Sequence, residues 1–176
     1  MAEPLRLKPP HGGFLRAFGC GEFIKGFLLG VGPYGSPQID QLVGAPQVDI
    51  FNQYKTALIK ATALDRATRE EERQARREQR RIDPERIDEL AAGYLERTPY
   101  KSTSCRYHSF VVYFSNLRRL GWVEKTGKTE PSAFQDRYPQ GPPRRYYRLT
   151  AKGKAASALA WANPRLALYG VSTEKP

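Results

Sequence analysis

Between residues 102 and 148 the chain gathers side chains suited to meeting a polyanion. Ser102, Thr103 and Ser104 offer hydroxyls, and Arg106, His108, Ser115 and Arg119 follow them. Lys125, Lys128, Arg137, Arg144, Arg145 and Arg148 then supply cations. Hydroxyls and guanidinium groups hydrogen-bond phosphate oxygens and base edges, and cations that neutralise phosphates release counterions, which drives affinity. A second basic group, Arg69, Arg73, Arg76, Arg77 and Arg80, lies upstream. Other chemistries find little support. Cys105-x2-His108, with Cys20 and His11 elsewhere, is too sparse for a zinc site, and no orienting acid follows the Cys–His pair. Gly19-x-Gly21 and Gly30-x-Gly32 match neither phosphate-loop nor dinucleotide spacing. No enzymatic activity, metal or cofactor is expected.

These groups need elements to position them. Residues 105–120 read as an amphipathic helix, with Phe110, Phe114, Leu117 and Leu120 on its buried side. Cys105, His108, Val112, Ser115 and Arg119 lie opposite. Before it, Asp83-Pro84 starts a helix by cap and first-turn proline, and Ile87, Leu90, Ala91, Tyr94 and Leu95 give that helix one apolar face. Together 84–120 predicts a helix-turn-helix, whose second helix would enter the major groove. Trp122-Val123-Glu124 begins a strand, 125–143 is a polar loop, and Arg145 to Leu149 returns as a second strand. Thr150 caps a final helix over 151–161, and 164–176 is a tail in which Leu166, Leu168 and Tyr169 could dock. Phe134, Tyr138, Tyr146 and Tyr147 are expected to pack rather than stack on bases.

Upstream, residues 1–12 read as a flexible arm. A short core helix is expected over 22–30, and a second over 37–43, ended by Gly44-Ala45-Pro46. A long helix then runs from about 48 to 81. In its first half Phe51, Tyr54, Leu58, Ala61 and Leu64 should face a core. Its second half carries no large apolar residue. At about 100° per residue, Arg66, Arg69, Arg73, Arg76, Arg77, Arg80 and Arg81 fall within roughly 140°. Two readings stand: a solvated helix held by pairs such as Asp65–Arg69 and Glu72–Arg76, or a basic rail for phosphates or an acidic partner.

A chain of 176 residues fits one domain with a core, expected over 13–163. Its 40% hydrophobic and 11% aromatic residues exclude a wholly disordered chain, and a net charge of +11 favours a polyanionic partner. No run of about 18 apolar residues exists, so no membrane span is expected. Met1 to Pro10 suggests no signal peptide, and two cysteines suit a reducing cytosol.

The segment Leu117-Arg-Arg-Leu-Gly-Trp-Val-Glu, with Arg145-Tyr-Tyr-Arg-Leu-Thr-Ala-Lys-Gly-Lys, resembles winged-helix transcription regulators of the PadR and MarR kind. In those proteins a strand of the form Tyr-Tyr-x-Leu-Thr ends the wing and leads into a helix through a Gly. The resemblance implies a mainly α fold with a small antiparallel β-hairpin: a winged helix-turn-helix, here with a long inserted helix and a wing over 121–150. It implies a regulator that reads double-stranded DNA with helix 105–120, and the expected location is the cytoplasm, at the nucleoid if the source is prokaryotic. Helix 48–81 would supply a homodimer or protein contact. The alternative is a winged-helix interaction subunit of a larger nucleoprotein complex serving replication, partition or RNA.

Overall fold

The computed structural model describes residues 18–31, 39–98, 106–132 and 141–170. The elements run α1 (Cys20–Leu29), β1 (Ala45–Pro46), α2 (Gln47–Glu78), α3 (Pro84–Arg97), α4 (Tyr107–Arg119), β2 (Val123–Glu130), β3 (Arg144–Leu149), α5 (Ala151–Ala155), α6 (Ala158–Ala162) and α7 (Pro164–Tyr169). The protein is mainly helical, with one small three-stranded antiparallel sheet. The expected single domain over 13–163 is instead two compact units. Among the described residues, one holds Phe18 and 55–98, the other 19–54 and 106–170. Of the helix-turn-helix expected over 84–120, α3 belongs to the first unit and α4 to the second.

The first unit is a helical hairpin. Ala63 and Ala67 pack with Tyr94 of α3, and Ile87, Leu90, Ala91 and Leu95 close over them. From Ala63 onward the buried positions of α2 step by fours, Ala63, Ala67, Glu71 and Ala75, so this part of the stripe consists of alanines around one carboxylate. Leu64, expected in the core, is half exposed, because α3 covers the alanine stripe beside it. The helix stops at Glu78, short of the expected 81. Gln79 adopts a left-handed conformation (φ 52°), and the Arg80 N–H turns back to the Ala75 carbonyl at 3.0 Å. Asp83 caps α3 as expected, accepting from the Glu85 N–H at 3.0 Å, with Pro84 in the first turn.

The second unit has an aromatic core. Rings pass from α1 to α2 (Phe23–Tyr54, 5.2 Å), from α2 to α4 (Phe51–Phe110, 5.2 Å), and from α4 to β3 (Phe114–Tyr147, 5.0 Å, edge-on). These tilted and edge-on contacts suit the ring quadrupole. Within this unit the start of α2 braces α4, through Phe51 against Phe110 and Tyr107.

The sheet order is β1-β3-β2. β1 pairs Ala45 with Tyr147 and Pro46 with Tyr146, where the sequence suggested only a helix stop. Pro46 has no N–H to donate and suits the outer strand. Gly44 makes the approach feasible: its φ is +72°, and a Cβ there would lie 1.8 Å from the Tyr147 carbonyl oxygen. The helix expected over 37–43 is, in its described part, a turn around Asp40, whose carbonyl accepts from the Val43 and Gly44 N–H groups. β2 extends to Glu130, so much of the expected loop is strand. Between the pairs Lys125↔Tyr147 and Thr129↔Arg145 three residues, 126–128, oppose Tyr146 alone. Gly127, at φ +83°, sits in that bulge.

After β3 the Thr150 hydroxyl does double duty, donating to the Gly121 carbonyl at 2.6 Å and accepting from the Gly153 N–H at 3.0 Å. A Cβ at Gly153 would lie 2.2 Å from the Trp122 carbonyl oxygen, which explains a glycine inside this turn. The helix expected over 151–161 breaks after Ala155 and restarts behind the Ser157 cap. The restart carries Trp161 onto Trp122 at 5.0 Å, with its indole N–H on the Gly153 carbonyl at 3.0 Å. Part of the expected tail is helical, as α7.

Candidate nucleic-acid interface

Ser102, Thr103, Ser104, Cys105 and Arg137 lie outside the described residues, as do the arm over 1–12 and residues 133–140. Arg106 is exposed at the N-cap of α4, which begins at Tyr107 and has no side-chain cap. His108, Val112 and Ser115 are exposed along one side of α4, as expected from the burial of Phe110, Phe114 and Leu117. Arg119 departs from that set. It donates to the Tyr169 hydroxyl at 2.6 Å, and its guanidinium lies 5.4 Å from that ring centre, so it is engaged with α7. Arg118, which sequence reasoning passed over, is exposed with its guanidinium 5.5 Å from the centre of the Tyr147 ring.

The hairpin sorts its charges by face. On β3, Arg144, Tyr146 and Arg148 alternate with Arg145, Tyr147 and Leu149. The first set meets acids. Arg148 pairs with Glu124 at 2.8 Å and also donates to the Leu42 carbonyl. Arg144 pairs with Asp49 and, at 3.7 Å, with Glu130. Lys128 reaches Glu130 at 3.8 Å and stands 4.3 Å over the Tyr146 ring, whose hydroxyl donates to the same carboxylate. Three of the expected wing cations, Lys128, Arg144 and Arg148, are thus neutralised within the fold.

The other face differs. Tyr147 and Leu149 are buried, Lys125 stands opposite Tyr147, and Arg145 continues the row outward. Lys125 and Arg145 are exposed, and neither they nor Arg118 has an acidic partner within 4 Å among the described residues. They crowd one another instead. The charge of Arg145 foremost, then desolvation and the charge of Arg118, hold the Lys125 ammonium below its ordinary lysine value. The site is therefore a cluster of three uncompensated cations, one from α4 and two from the hairpin. Such a group costs the fold electrostatic repulsion and offers a ready anion site.

In the first unit Arg69, Arg73, Arg76 and Arg77 are exposed on α2, but Arg80 is corrected. It lies beyond the helix, where its guanidinium binds Glu71, donating at 2.9 Å to Oε2, and Glu78 at 2.6 Å. Glu71 is fully buried and also accepts the Asp83 N–H at 2.9 Å, with Arg86 at 3.5 Å. The Arg80 hydrogen bonds foremost hold its carboxyl down to about 2.

No described helix is long and apolar enough to cross a membrane. Compared with known protein families, curated proteins and solved structures, the chain matches none.

Proposed function

We propose that this protein binds double-stranded DNA as a winged-helix module and acts as a transcription regulator in the cytoplasm. In this reading α4 enters the major groove with His108, Val112 and Ser115 toward the bases. The β2–β3 hairpin is the wing, lying against the backbone, and the start of α2 is the bracing helix. The observation that carries it is the cluster of Arg118, Lys125 and Arg145, which shares the helix–hairpin region and has no carboxylate to satisfy it. The strand order β1-β3-β2 beside α1, the start of α2 and α4 supports the same reading, since it accounts for a short first strand that the hairpin alone does not need.

Three phosphate contacts would contribute about −2.7 to the slope of log affinity against log salt. Changing Lys125→Gln, Arg145→Gln and Arg118→Gln should remove most of that contribution, as measured by anisotropy on a duplex recovered from a random pool with RNA competitor present. An unaltered slope in the triple variant, or recovery of no duplex above competitor, rejects the reading.

A further inference from the structure

The distal half of α2 looks nearly balanced in sequence, but the fold divides its charges unequally. Four of its acids are turned to internal work. Glu71 holds Arg80, Arg86 and the Asp83 N–H inside the hairpin corner. Glu70 accepts the Tyr94 hydroxyl, and Arg66 is drawn over the same ring at 4.2 Å. Glu78 accepts from Gln74 at 2.9 Å and from Arg80. Asp65 pairs with Arg69 at 3.0 Å. The expected Glu72–Arg76 pair does not form among the described residues. Arg73, Arg76 and Arg77 are left exposed with no acidic partner there.

At about 100° per residue these three and Arg69 span roughly 100° of the wheel, opposite the buried Ala63, Ala67, Glu71 and Ala75. At about 1.5 Å per residue, Arg69 to Arg77 covers ~12 Å of helix. One strand of a duplex presents a charge about every 3.4 Å of its axis, so that length matches three to four phosphates. The guanidinium fork also suits phosphate oxygens, which it can bind bidentately.

We infer that this face of α2 is a second nucleic-acid surface, a sequence-independent rail for the phosphate backbone of duplex DNA. It is carried by a different compact unit from the α4–hairpin cluster and does not depend on that cluster's role. The test is the full chain with Arg73→Gln, Arg76→Gln and Arg77→Gln, binding a 40-base-pair duplex of arbitrary sequence over a salt series. The residues are exposed, so helicity and melting should match the parent.

The salt slope should fall in magnitude by two to three, while the triple Arg→Lys variant keeps the parent slope. A slope equal to the parent's in the Gln variant overturns the rail. So does a variant that loses binding to polyglutamate but not to duplex, which would assign the face to an acidic protein. A Lys125→Gln, Arg145→Gln chain measured alongside separates the two claims. If that chain binds like the parent while the rail variant weakens, the α4–hairpin reading fails and the rail stands.

Discussion

The two units handle charge in opposite ways. The helical hairpin has alanines where a larger core would have leucines, and it brings a carboxylate, Glu71, into full burial at its corner. Four acids of α2 take partners within the unit, and Arg73, Arg76 and Arg77 are left exposed without one among the described residues. The sheet unit has rings enough to make a core without buried charge, and it spends its acids on one face of a hairpin, leaving the cations of the other face uncompensated. In both, the charge met by a partner differs from the charge written in the segment. What matters is which side chains the packing recruits as internal partners.

The sharpest way to break this contrast is to damage each core separately. Phe114→Ala should cost about 3–5 kcal/mol, as burying rings and then leaving a cavity usually does. In denaturant unfolding followed residue by residue, amides of 106–132 and 141–170 should lose protection while those of 63–95 keep theirs. Equal loss in both would deny that the units are separate.

The hairpin should instead be vulnerable to acid. A carboxyl whose folded value lies below its ordinary 4.5 contributes stability that is complete above that value and is lost as pH falls toward about 2. Thermal melts from pH 7 to pH 2 should show that loss in the parent, and a Glu71→Gln chain should be less stable at pH 7 and flatter through the acid range. Identical acid profiles would remove Glu71 from its place at the corner.

The smallest effect concerns the paired face of the sheet. Arg148→Gln should cost less than about 1 kcal/mol, since its partner Glu124 is partly exposed and solvent-screened. It should leave the salt slope of duplex binding unchanged. A slope reduction as large as that for Lys125→Gln would show that the two faces are not functionally distinct.

Much of this was legible from residue order. The Asp83-Pro84 helix start, the buried side of α4, the hairpin strands and the Thr150 cap are local: each depends on dihedral preferences and a period within a few residues. The division of 84–120 between units was not legible. Both α3 and α4 show an apolar face, and a face does not say which other face it meets. The same applies to β1, where two residues after a glycine become a strand because Tyr147 is there to pair with.

The sequence by itself determined that the chain is mainly helical, basic, and carries a cationic hairpin after α4, because periodicity and composition are sums over neighbours. Only the tertiary structure decided which cations are free. Arg119 is engaged by Tyr169 and Arg80 by Glu71, while Arg118, Lys125 and Arg145 are drawn together without an acid. The reason is physical: an ion pair or a ring contact needs two groups within a few ångströms, and residues 9, 24 or 50 positions apart reach that distance only when the chain has folded.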